Sequence, residues 1–579
     1  MKKNQQRKIK DFVKPYLHLS IIAPLFMVGE VFADLLQPEY MSRIVKEGVA
    51  QGDVPRILSI ALQMGITLIF GVACGVLCAV FASFASQRFA HDLRKNAFDR
   101  VMKLSLAETD AFSTGSLVTR LTNDINVLQE FFAMLLRTFV RTPLLFLGGV
   151  ILCIRIDVRY AIIISIALPL QILLMLVIVR KANPIFRQVQ KKIDRVNSVV
   201  QENVTGARVI KAYVKEEHEI RRFDAASTDL KNTNLRVFNL MAVMSPIMMI
   251  IMNAAIIALL YVSGGDAKLA ASADVMKAIT YITQILMSLM MLGMMMQQVS
   301  RAMVSAQRVR EVLNAEITVK EGSREIGSLK GSVRFDKVSF RYPRTAGEPV
   351  LADVSLDIKE GEFIAIVGAT GSGKSSLVRL IPRFYDPSEG SVYVDGIDVR
   401  ELSFSSLRQE IGMVLQKSEL FAGTIAENLR FGRQEASDEE LHRAARIAQA
   451  DGFIETLPNG YHTSVAEKGT SLSGGQRQRI CIARALVKRP RILIMDDATS
   501  ALDLTTEAKL LAGIQKELKG TTLIMVAQRI AGIRHADRIA VIEHGRVTAF
   551  APHDELMKTS ECYREIYDSQ MKGGSVLAE

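Results

Sequence analysis

The sequence is poor in cysteine and has no pattern by which cysteine would build a site. Only five of its 579 residues are cysteines, and none is spaced as a metal ligand. Five scattered thiols are too few for a dense disulfide framework, so nothing requires an oxidising compartment. Cys74 and Cys78 lie one helical turn apart in an apolar run, which is typical of small core residues. The shortage excludes a disulfide-rich scaffold.

Acidic residues are also scarce relative to basic ones. The chain has 60 Asp and Glu against 72 Lys and Arg, a formal net charge of +12. A basic chain can bind nucleic acid, but Lys and Arg also accumulate in the cytoplasmic loops of membrane proteins. Hydrophobic residues reach 49%, and apolar runs occupy most of residues 17–300. We therefore expect a membrane protein and no nucleic-acid partner.

The apolar runs are long enough to cross a lipid bilayer six times. Crossing the hydrocarbon layer, which is about 30 Å thick, takes about 20 helical residues. Runs of this kind lie at about 17–36, 57–86, 131–154, 161–179, 237–262 and 278–300. The basic N-terminus resembles that of a signal peptide, but no cleavage-like site follows. The first run is therefore expected to be a retained span.

Two segments between the spans are long, basic and helical in pattern. Residues 87–130 and 180–236 are rich in Arg and Lys and repeat apolar residues at helical spacing. We expect the spans to continue there as two long helical hairpins on the cytoplasmic side. The turns of these hairpins are predicted at 110–115 and 203–206.

The composition after the last span is that of a water-soluble domain. Residues 301–330 are charged and periodic at first and then contain glycines, which predicts a helix that leads into a linker at 311–330, after a transmembrane domain at 1–310. From residue 331 onward, β-rich runs alternate with helical patterns. This predicts an α/β domain with a largely parallel sheet at 331–579. The expected fold class is an α-helical transmembrane domain followed by an α/β domain.

A glycine-rich loop between a predicted strand, 363–367, and a predicted helix has the form of a P-loop. Its glycines let successive backbone N–H groups point at phosphate, and the helix N-terminus adds a favourable dipole. We expect Lys374 to neutralise the β- and γ-phosphates of ATP and Ser375 to hold Mg²⁺. The predicted ATP-binding residues of this loop are Gly368, Ala369, Thr370, Gly371, Ser372, Gly373, Lys374, Ser375 and Ser376.

A second apolar run ends in a carboxylate, as the magnesium-binding strand of a P-loop ATPase does. The run 492–496 reads Ile-Leu-Ile-Met-Asp. Alone this pattern is weak, because many buried strands end in Asp. Downstream of a P-loop, it indicates that Asp496 joins Ser375 in binding Mg²⁺ and its water shell.

The run Leu472–Gln476, which reads Leu-Ser-Gly-Gly-Gln and is followed by Arg-Gln-Arg, resembles the signature of ABC transporters. Further motifs stand in the order found in ABC exporters, at Tyr342, Gln416, Glu467–Gly469 and Ser500–Asp503. The six-span layout matches too, so the resemblance covers essentially the whole chain. It implies an ATP-driven half-transporter that works with a second half-transporter.

The resemblance also implies roles that periodicity could not supply. Tyr342 is expected to stack on adenine, and Gln416 to contact Mg²⁺ and water while sensing the membrane domain. Two nucleotide domains are expected to meet head to tail, so that the signature of one chain closes the P-loop site of the other. The signature residues here are Ser473, Gly474, Gly475 and Gln476.

The same resemblance implies a location and a coupling route. Both termini and the ATPase domain are expected in the cytoplasm, because ATP is cytosolic, with the spans in the cell membrane. The hairpin tips, at about 112–115 and 205–213, are expected to be coupling helices that dock on nucleotide domains.

Two positions depart from the family pattern. Asp497 stands where the family usually has Glu to position the attacking water, and Gln528 stands where it usually has a switch His. Asp is one methylene shorter, so its carboxylate falls short by more than about 1 Å, which can cost about a hundredfold in rate. Gln can donate a hydrogen bond to a γ-phosphate but carries no charge.

The predicted catalytic residues are therefore Asp497, Gln528 and Gln416, in an ATP site that we expect to be slow. Because the signature is intact, we hypothesise a heterodimer in which this chain completes the active site of a different partner. The alternative is a homodimer that works with Asp497 and Gln528 as they are.

The sequence says less about the transported substrate than about the ATP site. Methionines cluster at 241–252 and 287–296, in the fifth and sixth spans. Flexible Met side chains suit a cavity for small, amphipathic or drug-like substrates, but they also suit lipid-facing or gap-filling positions. Export of a lipid or peptide is an alternative. An ATP-gated regulatory or channel-like subunit is an alternative of another class.

Four charged residues lie in or near the spans. Glu30 and Asp34 are either functional carboxylates that face the interior or solvated groups near the outer surface. Arg137 and Arg141 are expected near the inner interface, where long side chains can reach water.

Overall fold

The computed structural model describes residues 9–263, 269–343, 345 and 347–575. It divides into two compact units. The first contains the residues up to Met102 together with Gly115–Asn314, and the second contains Lys103–Thr114 and the residues from Ala315 onward. The first unit is helical and the second is α/β, so the predicted fold class is confirmed.

Long helices make up the first unit. The helices of this part of the chain are α1 (Leu17–Arg43), α2 (Val54–Met102), α3 (Leu106–Phe112), α4 (Thr114–Thr119), α5 (Ile125–Ile156), α6 (Val158–Thr205), α7 (Ala207–Ala212), α8 (Glu216–Ala242), α9 (Met244–Ser263) and α10 (Leu269–Leu313). Of these, α3 belongs to the second unit.

Within the described ranges, six helical segments are long and apolar enough to cross a membrane, which confirms the predicted number of spans. They lie at Ile9–Gln51, Val54–Met102, Thr114–Ile156, Val158–Thr205, Glu216–Ser263 and Ala273–Leu292. The helix α2 alone has 49 residues. At about 1.5 Å per residue it is about 74 Å long, more than twice the hydrocarbon thickness. The helices therefore continue well beyond the spans, as predicted.

Small residues let α1 and α2 pack closely. A Cβ on Gly71 would lie 2.8 Å from the Cβ of Ala33, and one on Gly29 would lie 2.9 Å from Cys74 Sγ. Cys74 and Cys78 are buried free thiols, as expected of small core residues. Close approach of this kind is how helices associate where lipid offers no hydrophobic driving force.

Charged side chains of α1 and α5 meet inside the first unit. Arg141 Nη2 lies 2.9 Å from Asp34 Oδ2 and 3.6 Å from Glu30 Oε1. Arg141 stands in the middle of the 32-residue helix α5. Arg141 therefore pairs with two carboxylates of α1, and its position near the inner interface stays a prediction. The pairing favours the interior position for Glu30 and Asp34.

The second unit holds two main sheets. Its strands are β1 (Val333–Phe340), β2 (Leu351–Ile358), β3 (Phe363–Val367), β4 (Glu389–Val394), β5 (Ile397–Asp398), β6 (Ile411–Val414), β7 (Gly423–Thr424), β8 (Ser464–Val465), β9 (Ile492–Asp496), β10 (Thr522–Val526), β11 (Arg538–Glu543) and β12 (Arg546–Ala551). A six-stranded sheet has the order β12-β11-β3-β10-β9-β6, and an antiparallel sheet has the order β2-β1-β4-β5. The larger sheet is parallel except at β12.

The helices of the second unit cover the larger sheet and flank it. They are α11 (Lys374–Leu380), α12 (Phe404–Gln409), α13 (Ile425–Arg430), α14 (Asp438–Ile447), α15 (Asp451–Glu455), α16 (Gly474–Val487), α17 (Leu504–Glu517), α18 (His553–Thr559) and α19 (Glu561–Ser575). Residues of β3 point alternately into two hydrophobic clusters, Ala365 into one and Ile366 into the other. The apolar runs of the sequence thus form a core on both faces.

The short helix α3 packs on the α/β core, although the sequence assigned it to a domain at 1–310. Ser105 caps the helix, and Glu108 Oε1 accepts from the backbone N–H of Thr318 at 3.2 Å. Tyr385 OH donates to Asp110 Oδ2 at 3.0 Å. The contact of Asp110 thus lies at the start of the turn predicted at 110–115, and that of Glu108 lies just before it. These contacts depend on residues more than 200 positions away, which no local pattern could indicate.

Candidate active site

Three parallel strands bring the predicted ATP-site residues to one edge of the larger sheet. In β10, Val526 pairs with Ile366 of β3 on one side and with Asp496 of β9 on the other. Because the carboxyl ends of parallel strands lie at the same edge, the P-loop, Asp496 and Gln528 converge there. The three strands are buried along their length, which explains their unbroken apolar sequences.

The P-loop needs glycine where its chain turns. Gly371 and Gly373 have φ angles of +85° and +102°, which residues with side chains rarely adopt. Lys374 then opens α11 and folds back over the loop, where Nζ donates to Gly368 O at 2.8 Å and to Ala369 O at 2.7 Å. The lysine therefore stands over the backbone turn that the sequence predicts as the phosphate cradle.

The electrostatics of the loop favour an arriving anion. Burial lowers the pKa of Lys374, although the carboxylates of Asp497 and Asp496 act in the opposite direction. The Ser372 hydroxyl is buried and has no hydrogen-bond partner among the described residues. A partly desolvated cation and an unsatisfied hydroxyl both gain from a phosphate group in the loop.

Ser375 and Asp496 place oxygen donors beside the loop. Ser375 Oγ donates to Asp496 Oδ1 at 2.6 Å. Asp496 is fully buried, and its Oδ2 has no hydrogen-bond partner in the described part of the chain. The guanidinium of Arg379 lies 3.9 Å from that oxygen, an ion pair beyond hydrogen-bond distance. Carboxylate and hydroxyl oxygens are ligands that Mg²⁺ prefers, so these residues fit the ion. Bound there, Mg²⁺ would neutralise charge on the ATP phosphates.

Tyr342 stands beside the P-loop helix in an aromatic cluster. Its hydroxyl lies 3.0 Å from Ser376 Oγ. Its ring meets those of Phe340 and Tyr385 edge-on, with centroids 4.9 and 5.3 Å away. The contacts fix a half-buried ring next to the loop, where the resemblance places the adenine. The same contact places the Ser376 hydroxyl beside Tyr342, and its role in ATP binding stays a prediction.

The two unusual residues, Asp497 and Gln528, contact each other. Gln528 Nε2 donates to Asp497 Oδ2 at 2.8 Å, and Gln416 Nε2 reaches the same oxygen at 3.4 Å. Burial raises the pKa of Asp497, whereas the hydrogen bond from Gln416 acts in the opposite direction. The three side chains predicted as catalytic therefore meet, because the amides of Gln528 and Gln416 both reach one carboxylate oxygen of Asp497.

The signature forms the N-terminus of the 14-residue helix α16. Ser473 caps it, since its Oγ accepts from the Gln476 N–H at 3.3 Å and its own N–H donates to Gln476 Oε1 at 2.9 Å. The N–H groups of Gly474 and Gly475 belong to the first turn and have no partner within the helix. The exposed Gly474 thus presents the positive end of a helix, a site for an anion.

The sequence did not identify Gln478 as part of the site. This buried side chain donates to Asp497 O at 3.4 Å and accepts from the backbone N–H of Ala501 at 3.0 Å. It therefore ties the signature helix to the loop after β9. Its place in a polar run gave no sign of this contact, which depends on the fold.

Two family models match the chain in the same order as the two units. The model described as the ABC transporter transmembrane region matches residues 20–292, and the model described as ABC transporter matches residues 351–500. The chain belongs to the ABC transporter family. This exporter is a half-transporter, in which the transmembrane domain is fused to an ATP-hydrolysing transporter ATPase.

Similar proteins cover nearly the full length of this exporter. An uncharacterized ABC transporter ATP-binding protein of Bacillus subtilis, YfiB, is 39% identical over 97% of this chain and 98% of its own. An ATP-dependent lipid A-core flippase of Chromobacterium violaceum is 31% identical over 97% of both chains. A solved bacterial Atm1-family ABC exporter with ATP bound has a TM-score of 0.78 at 26% identity, over 97% of this chain and 99% of its own.

We expect Tyr385→Phe to loosen α3 and to leave the rest of the ATPase unit folded. The substitution removes the hydroxyl that bonds Asp110 but keeps the ring in its cluster. A hydrogen bond to a charged group contributes about 1.5–3 kcal/mol, so amide hydrogen exchange in 106–112 should rise about tenfold or more. Tyr393→Phe is the matched control, because the Tyr393 hydroxyl makes no hydrogen bond within the described residues. Equal exchange in both variants would contradict the prediction.

Proposed function

We propose that this exporter chain is one subunit of a heterodimer and that its own ATP site is slow. The observation that supports the slow site most directly is that Gln528 and Gln416 both reach the Asp497 carboxylate. The carboxylate is one methylene shorter than the usual Glu, and it is engaged by amides. Neither amide can take up a proton or carry charge, so the site lacks the cation that a switch His offers.

The intact signature supports a productive role for the slow subunit. Ser473, Gly474 and Gly475 keep an open anion site at the start of α16. In a head-to-tail pair this site faces the P-loop of the partner, where ATP is hydrolysed quickly. ATP closure of the pair then turns the cavity outward, and hydrolysis at the competent site resets it. The spans lie in the cell membrane, and both termini and the ATPase unit lie in the cytoplasm.

We propose small amphipathic or drug-like compounds as the substrates. In the single chain, four methionine side chains on α9 and α10 are exposed, those of Met249, Met287, Met291 and Met296. On α9, Pro246, Met249, Ile250 and Ile257 are among the residues that line an apolar recess of about 490 Å³. Flexible, polarisable side chains of this kind accept ligands of varied shape. The side chain of Met294, another member of the predicted cluster, lies outside the described residues.

Lipid export is the second candidate function, and two observations favour it. The flippase of Chromobacterium violaceum is similar over nearly the whole chain. The Glu30, Asp34 and Arg141 cluster gives the membrane interior polar groups that a lipid headgroup could contact. A channel-like subunit is less well supported, because the intact signature is of use mainly in completing an active site that turns over.

The chain purified alone in lipid should bind ATP but hydrolyse it no faster than about twice the rate of its Lys374→Ala variant. ATP binding is expected because the P-loop, Ser375 and Asp496 are complete, and slow turnover because Asp497 is short. Mg-ATPase activity and nucleotide binding are measured separately on both proteins. Turnover far above the Lys374→Ala background would overturn the obligate heterodimer in favour of a homodimer.

A further inference from the structure

The C-terminal helix α19 reaches the switch turn that carries Gln528. Gln570 Nε2 donates to Gln528 O at 2.7 Å, and Gln570 Oε1 accepts from the Ile530 N–H at 2.8 Å. One side-chain amide therefore bonds the carbonyl of one residue and the N–H of the residue two positions later. We call this pair of hydrogen bonds the amide clasp.

The helix behind the clasp is firmly anchored to the ATPase core. Tyr563 of α19 is fully buried, and its hydroxyl lies 2.7 Å from His553 Nδ1. Ile566 and Tyr567 pack against the main hydrophobic cluster of the unit. Gln570 thus extends from a fixed support, so its bonds constrain the turn rather than follow it.

The turn that is clasped is also the turn that faces the ATP site. Gln528 donates from its side chain to Asp497 Oδ2 at 2.8 Å while its backbone carbonyl is held by Gln570. The neighbouring Arg529 donates to Leu502 O at 3.0 Å. Asp497, Gln528 and Gln570 all line one cleft of about 490 Å³. A helix at the end of the chain therefore shares a cleft with the groups predicted to face the γ-phosphate.

The clasp depends on both the carboxamide and the length of the Gln570 side chain. The clasp needs one donor and one acceptor in a single plane, which the carboxamide supplies. Asn is one methylene shorter and would not span the gap from α19. Glu keeps the length and can accept from Ile530, but it would place a carboxylate oxygen against Gln528 O.

We propose that Gln570 is a positioning residue of the ATP site, whose amide clasp holds the switch turn so that Gln528 faces Asp497 and the γ-phosphate. Nothing in the signature, P-loop or switch motifs includes Gln570. The proposal rests on the proposed function only in that Gln528 faces the γ-phosphate. Loss of the clasp should therefore weaken binding of a nucleoside triphosphate more than binding of a diphosphate.

The test compares nucleotide affinities of the full-length chain in lipid nanodiscs. The probes are ADP and a β,γ-imido analogue of ATP, which cannot be hydrolysed, so the result does not depend on how fast the site turns over. Because each variant breaks at least the hydrogen bond to Gln528 O, the preference for the triphosphate should fall about tenfold in Gln570→Glu and Gln570→Asn. ADP affinity should stay within about twofold.

Ser569→Ala is the matched control, because in the described structure the Ser569 hydroxyl bonds Ile566 O within its own helix. The rate of amide hydrogen exchange of residues 527–531 reports directly on the amide clasp. It should rise in the two Gln570 variants and not in Ser569→Ala. Faster exchange with an unchanged triphosphate preference would overturn the positioning role, and unchanged exchange would overturn the clasp. An equal loss of both nucleotides would mean a merely structural role and would also overturn the proposal.

Discussion

Asp497→Glu combined with Gln528→His is expected to raise the Mg-ATPase turnover of the purified chain by about two orders of magnitude. The added methylene carries the carboxylate outward by more than about 1 Å, and placement errors of that size are worth about a hundredfold. The histidine adds a group that can carry positive charge towards the γ-phosphate. The cleft beside Asp497 and Gln528, about 490 Å³, leaves room for both larger side chains.

The effect should require both the P-loop and the pairing of two chains. Adding Lys374→Ala to the double variant should return turnover to background, because the phosphates lose the cation that stands over the loop. Each single substitution should give a smaller gain than the pair, since Asp497 and Gln528 contact each other and their effects are coupled. A double variant that forms pairs but is no faster than the unmodified chain would refute the idea that these two residues limit the site.

Much of the fold followed from two kinds of apolar run. The uncharged run 57–86 is too long for a globular core and became part of the 49-residue helix α2. The short runs at 363–367 and 492–496 became fully buried parallel strands. Length alone separated the two cases, because both kinds of run are continuously apolar.

Contacts between distant segments could not be predicted in this way. The pairing of Asp34 with Arg141 joins residues 107 positions apart, and the bond between Glu108 and Thr318 joins residues 210 apart. Nothing in the local pattern of α3 distinguishes a turn in water from a helix packed on the ATPase core. Partner choice for charged side chains is likewise set by the three-dimensional arrangement.

The ATP site was predictable where backbone conformation dictates residue type. Glycine at positive φ in the P-loop and a capping box at Ser473 leave fixed spacings in the sequence. Gln478 and Gln570 leave no fixed spacing in the sequence. Each acts through its side-chain amide, which bonds the backbone of a segment distant in the chain. The positions of Asp497 and Gln528 were predicted, but their mutual hydrogen bond was not.

Gly474→Asp is expected to abolish the activity gained by the double variant without weakening the fold. A Cβ at Gly474 would meet Ala501 Cβ only at 4.0 Å, which is ordinary contact. A carboxylate in the first turn of α16 interacts favourably with the helix dipole, by about 0.3–1 kcal/mol. The same carboxylate places negative charge in the anion site and repels the γ-phosphate of the ATP bound at the P-loop of the opposite chain. Turnover should fall at least a hundredfold while the thermal midpoint stays constant or rises.

Mixing two defective chains then tests the head-to-tail arrangement. One chain carries Asp497→Glu, Gln528→His and Gly474→Asp, so its P-loop site is competent and its signature is blocked. The other carries Lys374→Ala, so its P-loop site is dead and its signature is intact. Neither chain alone should hydrolyse ATP, but a mixed dimer contains one complete site, and activity should reappear on co-reconstitution. Gly474→Asn, which is equal in size and uncharged, should retain much more activity than Gly474→Asp. A silent mixture would mean that each chain uses its own signature, and the role assigned to Ser473–Gln476 in the partner's site would be wrong.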